Sequence, residues 1–240
     1  MERNTKRMCA LSERLQAIAD LVQPGETIAD IGTDHAKIPG YLLIESISPK
    51  VILADSKAGP LAKAKETILK AGLHVEEGDI RKGDGLAVLS EFEVSTVIIA
   101  GMGGRTIINI LSADKNKTQS FSRFILQPGS HAPELREWLT KNSFTITHER
   151  LCRESRRLYE IIVAEPGDHE EVNWNDLDYE ISPILFREND RLLSFFLQIK
   201  IAETKAILEK LATAESPEAQ NRRARLQERM RMLEEMVTRL

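Results

Sequence analysis

The stretch Thr27-Ile-Ala-Asp-Ile-Gly-Thr-Asp-His-Ala-Lys-Ile-Pro-Gly40 decides how the chain is read. A β-type run from Thr27 to Ile31 ends in an acid, a glycine and a tight turn. The pattern then passes into a helix from His35 to Glu45, with Pro39 near its first turn. That is the strand–turn–helix entry of an α/β unit that binds a nucleotide or cofactor. It departs from Gly-x-Gly-x-x-Gly, because Asp34 stands at the second glycine's place and Ala36 near the third's.

Upstream, Leu11, Leu15, Ile18, Ala19 and Val22 recur at helical spacing after a polar start at Ser12-Glu13-Arg14, and Pro24-Gly25 stops them. Downstream, Lys50 to Asp55 reads as a second strand, apolar enough to be covered on both faces. A helix over Gly59 to Ala71 puts Leu61, Ala64, Ile68 and Leu69 on one face. A weaker third strand spans His74 to Ile80, and Gly83-Asp84-Gly85 opens a short helix through Leu89. Val94 to Ala100 is the most strand-like run; it breaks at Gly101-Met102-Gly103-Gly104 and enters a helix with Ile107, Ile108 and Leu111. Lys115 to Gln119 reads as a polar loop and Phe121 to Leu126 as a fifth strand. A helix from Pro133 to Asn142 turns Leu135, Trp138 and Leu139 inward, and a hairpin pairs Phe144 to Leu151 with Leu158 to Ala164. Strands alternating with helices and closed by a hairpin predict a doubly wound, Rossmann-like α/β sheet with one antiparallel strand.

Composition shifts at Glu165: from there to Glu180 come seven acids and no lysine or arginine. This marks a boundary or exposed linker, dividing a domain over 1–165 from one over 166–240. Leu197, Ile201, Thr204, Leu208 and Leu211, then Leu226, Met230, Leu233, Val237 and Leu240, make two helical stripes. Ser216-Pro217-Glu218 between them starts the second helix, so the tail is expected to fold as an antiparallel helical hairpin of coiled-coil type.

A formal net charge of -4 gives the whole chain no bias toward nucleic acid, so any basic surface must be local. Two cysteines, Cys9 and Cys152, lie far apart without ligand-like spacing, which argues against a disulfide framework or a zinc site. Met1 to Ala10 is polar and basic rather than signal-like, and no apolar run reaches membrane length, so a cytoplasmic protein is expected.

The acid at Asp34 carries the chemistry. In a dinucleotide site the helix start faces a pyrophosphate. A carboxylate about 4 Å from it would be repelled by roughly 4 kcal/mol at an effective dielectric near 20. A ligand with a sulfonium and an ammonium would be welcome there, and S-adenosylmethionine is such a ligand. Alternatively, Asp34 caps the following helix. Asp55 closes the second strand 25 residues after Asp30, near the spacing of an acid that receives ribose hydroxyls. Asp84, between glycines, is placed to accept from an adenine amino group or simply makes an Asp-Gly turn. Three acid-bearing loops at successive strand ends make a stronger pattern than any one of them. The glycines at 101–104 let backbone approach a flat substrate. His35 is the one histidine in such a loop, suited to proton transfer or to a structural hydrogen bond. In the tail, Arg222, Arg223, Arg225, Arg229 and Arg231 crowd one stretch against Glu228. With Arg3, Lys6 and Arg7 they are candidate phosphate contacts, the other reading being a solvated helix face.

In order along the chain stand Leu11-Ser-Glu-Arg-Leu15, Ala29-Asp-Ile-Gly-Thr-Asp-His-Ala36 with Pro39, Gly83-Asp-Gly-Leu86, Ile99-Ala-Gly-Met-Gly-Gly104, Leu126-Gln-Pro128 and Tyr159-Glu-Ile161. This series closely resembles the bacterial TrmK family, tRNA methyltransferases that modify N1 of adenine at position 22. The resemblance covers roughly the first 165 residues well and the tail in outline. It implies a class I methyltransferase fold, S-adenosylmethionine as donor and tRNA as acceptor. Asp30, Gly32, Asp34, His35, Asp55, Asp84 and Gly85 would surround the donor, joined by Arg14, Ser56, Gly101 and Gly103. Gly101 and Met102 would also face the base, and Asp34, His35 and Met102 are the candidate catalytic residues. Gly129 follows Gln127-Pro128 where many members carry asparagine. The competing readings are a methyltransferase for another substrate, a nicotinamide-dependent oxidoreductase favoured by Asp55, and a non-catalytic interaction module.

Overall fold

Short aliphatic runs bounded by glycine, proline and acids become the strands. The structure, a computed structural model, describes residues 11–167, 172–214 and 216–240; Arg3, Lys6, Arg7, Cys9 and His169 fall outside the described residues. The described residues divide into two compact units between Asn173 and Trp174.

The first unit holds β1 (Ile28–Ile31), β2 (Val51–Asp55), β3 (Ile80–Lys82), β4 (Thr96–Met102), β5 (Arg123–Pro128), β6 (Phe144–Glu154) and β7 (Arg157–Pro166). They form one sheet in the order β3-β2-β1-β4-β5-β7-β6. β1 pairs in parallel with both β2 and β4, so the strand order reverses around it. β7 runs antiparallel to β5 and to β6, which makes it the single reversed strand that the sequence predicts. Ile28 to Ile31 is buried along its whole length, as helix-covered parallel strands require. The helices of this unit are α1 (Glu13–Ala19), α2 (Lys37–Ile44), α3 (Ala58–Lys70), α4 (Gly104–Ser112), α5 (Lys115–Gln119) and α6 (Ala132–Lys141). Ser12 caps α1 by accepting from the backbone N–H of Leu15.

Several local expectations are corrected. Leu69 points to solvent, because only Leu61, Ala64 and Ile68 of α3 are buried. The third strand is three residues long and begins at Ile80; the acids before it form a turn over Glu77–Asp79. Asp79 there meets Lys50 at 3.2 Å, and Arg81 forks onto both oxygens of Glu93. These charges blunt the sheet edge. Lys115 to Gln119 is a helical turn rather than a loop, since Asp114 accepts from the N–H of Lys117 and caps it. Trp138 is half-buried beside Phe144, whereas Arg136 is fully buried. Its guanidinium donates to Glu149 on β6 (2.8 Å) and Glu160 on β7 (2.6 Å). Burial works against that charge, but the two carboxylates outweigh it and hold the guanidinium more firmly protonated.

The second unit holds α7 (Asp176–Glu180), α8 (Pro183–Arg187), α9 (Leu193–Lys210) and α10 (Pro217–Thr238). The acidic stretch is therefore not all linker: Asn175 and Asp178 form a capping box around α7, and Leu177 is buried. Ser216 caps α10 as its sequence predicts. Arg229 bonds Thr204 while Arg223 bonds the carbonyls of Leu211 and Ala214, so α9 and α10 run antiparallel. Leu240 does not continue the inner stripe and is exposed. Among the described residues no helix is long and apolar enough to cross a membrane.

Candidate functional site

Two cavities open along the C-terminal edge of the parallel strands, where ligands of such sheets gather. The larger, about 520 Å³, is walled by Asp55 and Ser56 after β2, Asp84 and Gly85 after β3, and Met102. The smaller, about 320 Å³, is walled by Arg14, Asp30, Asp34, His35 and Gly101. Gly32 lines both and forms the waist between them. Its φ of +82° suits glycine, and a Cβ there would overlap the Met102 methyl, which lies on the Gly32 backbone.

Met102 owes that position to β4. The strand does not break at Gly101 but continues through a register slip: Ala100 pairs with Gln127, and Met102 with Pro128. One extra residue re-aims the following side chain, a common device beside active sites. The N–H of Gly129 then donates to the Met102 carbonyl at 2.7 Å, fixing the slipped segment.

Asp30 is buried at the wall of the smaller cavity. Burial pushes its carboxyl up from 3.8 to about 6, against a smaller downward pull from Thr33 and with a further push from Asp55. The Thr33 hydroxyl is itself buried and makes no hydrogen bond of good geometry. Asp34 does not cap α2, whose N-cap Ala36 has a left-handed φ of 48° and no side-chain cap. Its carboxylate instead stands 3.1 Å from His35 Nε2 and 3.9 Å from Lys63 Nζ, with both Asp34 and His35 open to solvent. The capping role that the sequence left open for Asp34 is thereby excluded, and an accessible acid–imidazole pair stands at the cavity mouth.

In the larger cavity, Asp55 accepts from the N–H of Lys57 at 2.7 Å, which orients one carboxylate oxygen. A Cβ at Gly85, where φ is +49°, would come 3.0 Å from the Ile110 side chain, so this end is a narrow slot. Gly103, expected at the donor, lines neither of these cavities and is the N-cap of α4.

Sequence reasoning missed several residues. Thr106, Asn109 and Ile110 on α4 line the larger cavity. Their signal is a helix face that turns polar at Thr106 and Asn109, following a glycine run. Gln127 is buried at the end of β5. Its Nε2 donates to the Pro128 carbonyl (2.8 Å), turning its oxygen toward Arg14, which donates to it at 2.6 Å. The Arg14 guanidinium also lies 5.3 Å from the Tyr159 ring centroid. A lone Gln in an apolar strand gives the sequence hint, but its partner is 113 positions away.

The tail arginines separate by environment. Arg223 bonds backbone carbonyls, Arg229 pairs with Glu180, and Arg231 pairs with Glu228 and Glu235. Arg222 and Arg225 have no ion pair among the described residues.

The chain matches the family model TrmK, described as tRNA (adenine(22)-N(1))-methyltransferase, over residues 28–235. The tRNA (adenine(22)-N(1))-methyltransferase of Bacillus subtilis (strain 168) is 33% identical over 232 residues, spanning 95% of this chain and 97% of that protein. The crystal structure of B. subtilis TrmK aligns with a TM-score of 0.82 at 33% identity, covering 95% of this chain and 99% of that one. M. capricolum TrmK in complex with S-adenosyl-homocysteine aligns with a TM-score of 0.78 at 26% identity, covering 95% and 98%.

Proposed function

The chain belongs to the TrmK family, and on that premise we propose that its two-lobed groove holds S-adenosylmethionine across Gly32 and receives the target adenine at the mouth beside Asp34 and His35. The protein is an S-adenosylmethionine-dependent tRNA (adenine-N1)-methyltransferase with a Rossmann-like fold. The nicotinamide and non-catalytic readings fall with that membership. One observation carries the site assignment: two cavities with acids at both ends meet over a glycine that admits no side chain.

The residues fit the donor. Asp55 and Asp84 offer acceptors to ribose hydroxyls and an adenine amino group in the larger lobe, beside Ser56 and the slot between Gly85 and Ile110. Asp30 offers a buried carboxylate to an ammonium in the smaller lobe, Arg14 a guanidinium to a carboxylate, and the buried Thr33 hydroxyl beside Asp30 a further polar contact. S-adenosylmethionine supplies an electrophilic methyl group on a sulfonium.

Adenine N1 has a free lone pair, so the chain's task is alignment rather than strong base catalysis. N1 lies on the Watson–Crick edge, so the base must be unpaired or flipped to enter. Asp34 and His35 orient the N6 amino group, and the Asp34 carboxylate stabilises the positive charge that develops on the base. Gly101 leaves room for the ring, and Met102 forms its apolar floor. The two domains divide the work: residues 1–165 bind the donor and carry the chemistry, and the tail grips tRNA through Arg222 and Arg225. With tRNA as substrate, the protein works in the cytoplasm.

Mapping the methylated position on tRNA after reaction tests the acceptor, with modification at N1 of adenine 22 expected and another site refuting it. The roles of Asp34 and His35 are tested by Asp34→Ala and His35→Ala. Each is expected to slow methylation with donor affinity retained, and wild-type rates in both would refute the roles.

A further inference from the structure

β7 is antiparallel to β5 and β6 is antiparallel to β7, so β6 runs in the same direction as the parallel strands. Its last residue, Glu154, therefore emerges at the same sheet edge as Gly32 and Met102. Glu154 pairs with Arg157 across the hairpin, leaving Ser155 and Arg156 as its two-residue turn. The tip is tied to the smaller cavity: Glu154 accepts from the Arg14 backbone N–H at 3.4 Å, and its carboxylate stands 3.9 Å from Arg14 Nε. The hydrogen bond from Ser12 holds that carboxyl below the usual range against the opposing effect of burial, with help from the Arg14 backbone N–H and from the charges of Arg14 and Lys37.

Beyond this anchored acid the hairpin tip is cationic. Arg156 and Arg157 are exposed, as is Lys37 at the cavity wall, and none of the three has an ion pair among the described residues. Tight turns are normally built from glycine, asparagine or aspartate. Here the left-handed position is Ser155, with φ of 55°, and arginines follow it. In a chain of net charge -4, Arg156 and Arg157 give the exposed hairpin tip a local positive charge.

We infer that the β6–β7 hairpin tip, through Arg156 and Arg157 with Lys37, clamps the RNA phosphates flanking the adenosine received at the mouth of the smaller cavity. This rests on the tRNA reading above. A base drawn into a pocket leaves its own phosphates at the mouth, where exposed guanidinium groups fork onto phosphate oxygens. The occupant is an RNA backbone rather than an acidic protein, because the adjoining cavity mouth receives a base. Sequence reading missed the tip because Glu154 interrupts its arginines and they lie far from the arginine-rich tail.

The test measures tRNA affinity by fluorescence anisotropy from 50 to 200 mM salt. It compares wild type, the double variants R156A/R157A and R156K/R157K, and the tail variant R222A/R225A. In R156A/R157A, loss of two phosphate contacts lowers the slope of log K against log[salt] by about 1.4 to 1.8, and affinity at low salt falls at least tenfold. KM for tRNA rises, R156K/R157K keeps most of the slope, and retained S-adenosylmethionine affinity shows that the core is intact. An unchanged slope and KM in folded R156A/R157A would overturn the proposal and leave the tip to another partner such as an acidic protein. Wild-type protein that fails to methylate tRNA would instead overturn the functional reading itself.

Discussion

Replacing Asp30 by asparagine should make the protein more stable at neutral pH and less able to bind its donor. In the folded protein the Asp30 carboxyl sits at about 6, against 3.8 for an ordinary aspartate, chiefly because burial disfavours its charge. The folded state therefore holds the proton more tightly than the unfolded chain. The associated stability is fully present below 3.8 and is lost as pH rises through about 6. At 1.36 kcal/mol per pH unit, a difference of about two units makes the ionised, buried carboxylate cost about 3 kcal/mol at pH 7.5. The amide of the Asp30→Asn variant carries no such charge. Urea unfolding of wild type and Asp30→Asn from pH 4 to 8 should show the wild type losing ground to the variant between pH 4 and about 6.5. Arg81 holds Glu93 at about 2, so its contribution is present above 4.5 and fades as pH falls toward 2; it touches only the acid end of that window and cancels in the comparison because both proteins carry it. The same carboxylate should favour a cationic donor only when ionised. S-adenosylmethionine affinity in wild type should fall about tenfold per pH unit below 6, a dependence absent in Asp30→Asn. A variant no more stable than wild type at pH 7.5, with the same pH dependence, would refute the reasoning.

Two further perturbations probe the supports of the site. Gln127→Leu removes the buried acceptor of the Arg14 guanidinium, a charge-assisted bond worth about 1.5 kcal/mol where Arg14 is partly shielded. S-adenosylmethionine affinity by calorimetry should fall about tenfold, and an unchanged Kd would show that Arg14 needs no rack. Arg136→Met strands the buried Glu149 carboxylate and should cost about 3 to 5 kcal/mol by urea unfolding, whereas Arg136→Met with Glu149→Leu recovers much of it. No recovery in the double variant would mean that the loss comes from packing.

Local sequence carried far because much of this fold is locally encoded. The aliphatic runs around Ile28, Ile52 and Ile98, bounded by glycine, proline and acids, read directly as covered parallel strands. Asp30, Asp34, Asp55 and Asp84 marked a candidate site because loops at successive strand ends must share one edge of an open sheet, and the cavities at that edge include all four. What the sequence left undecided needed partners remote along the chain. Leu69 followed a helical stripe, yet only the packed sheet decided that Leu61, Ala64 and Ile68 turn inward without it. The fate of Gly101 depended on β5, whose pairing draws Met102 into the strand and onto Gly32. Burial, which raises the Asp30 carboxyl, is a property of everything packed around it and is written at no single position. Gln127 with Arg14, Arg136 with Glu149 and Glu160, and the hairpin tip beside the cavity each join segments that share no periodicity. Periodicity reports which face of an element is apolar; which side chains meet is decided only when those faces are packed together.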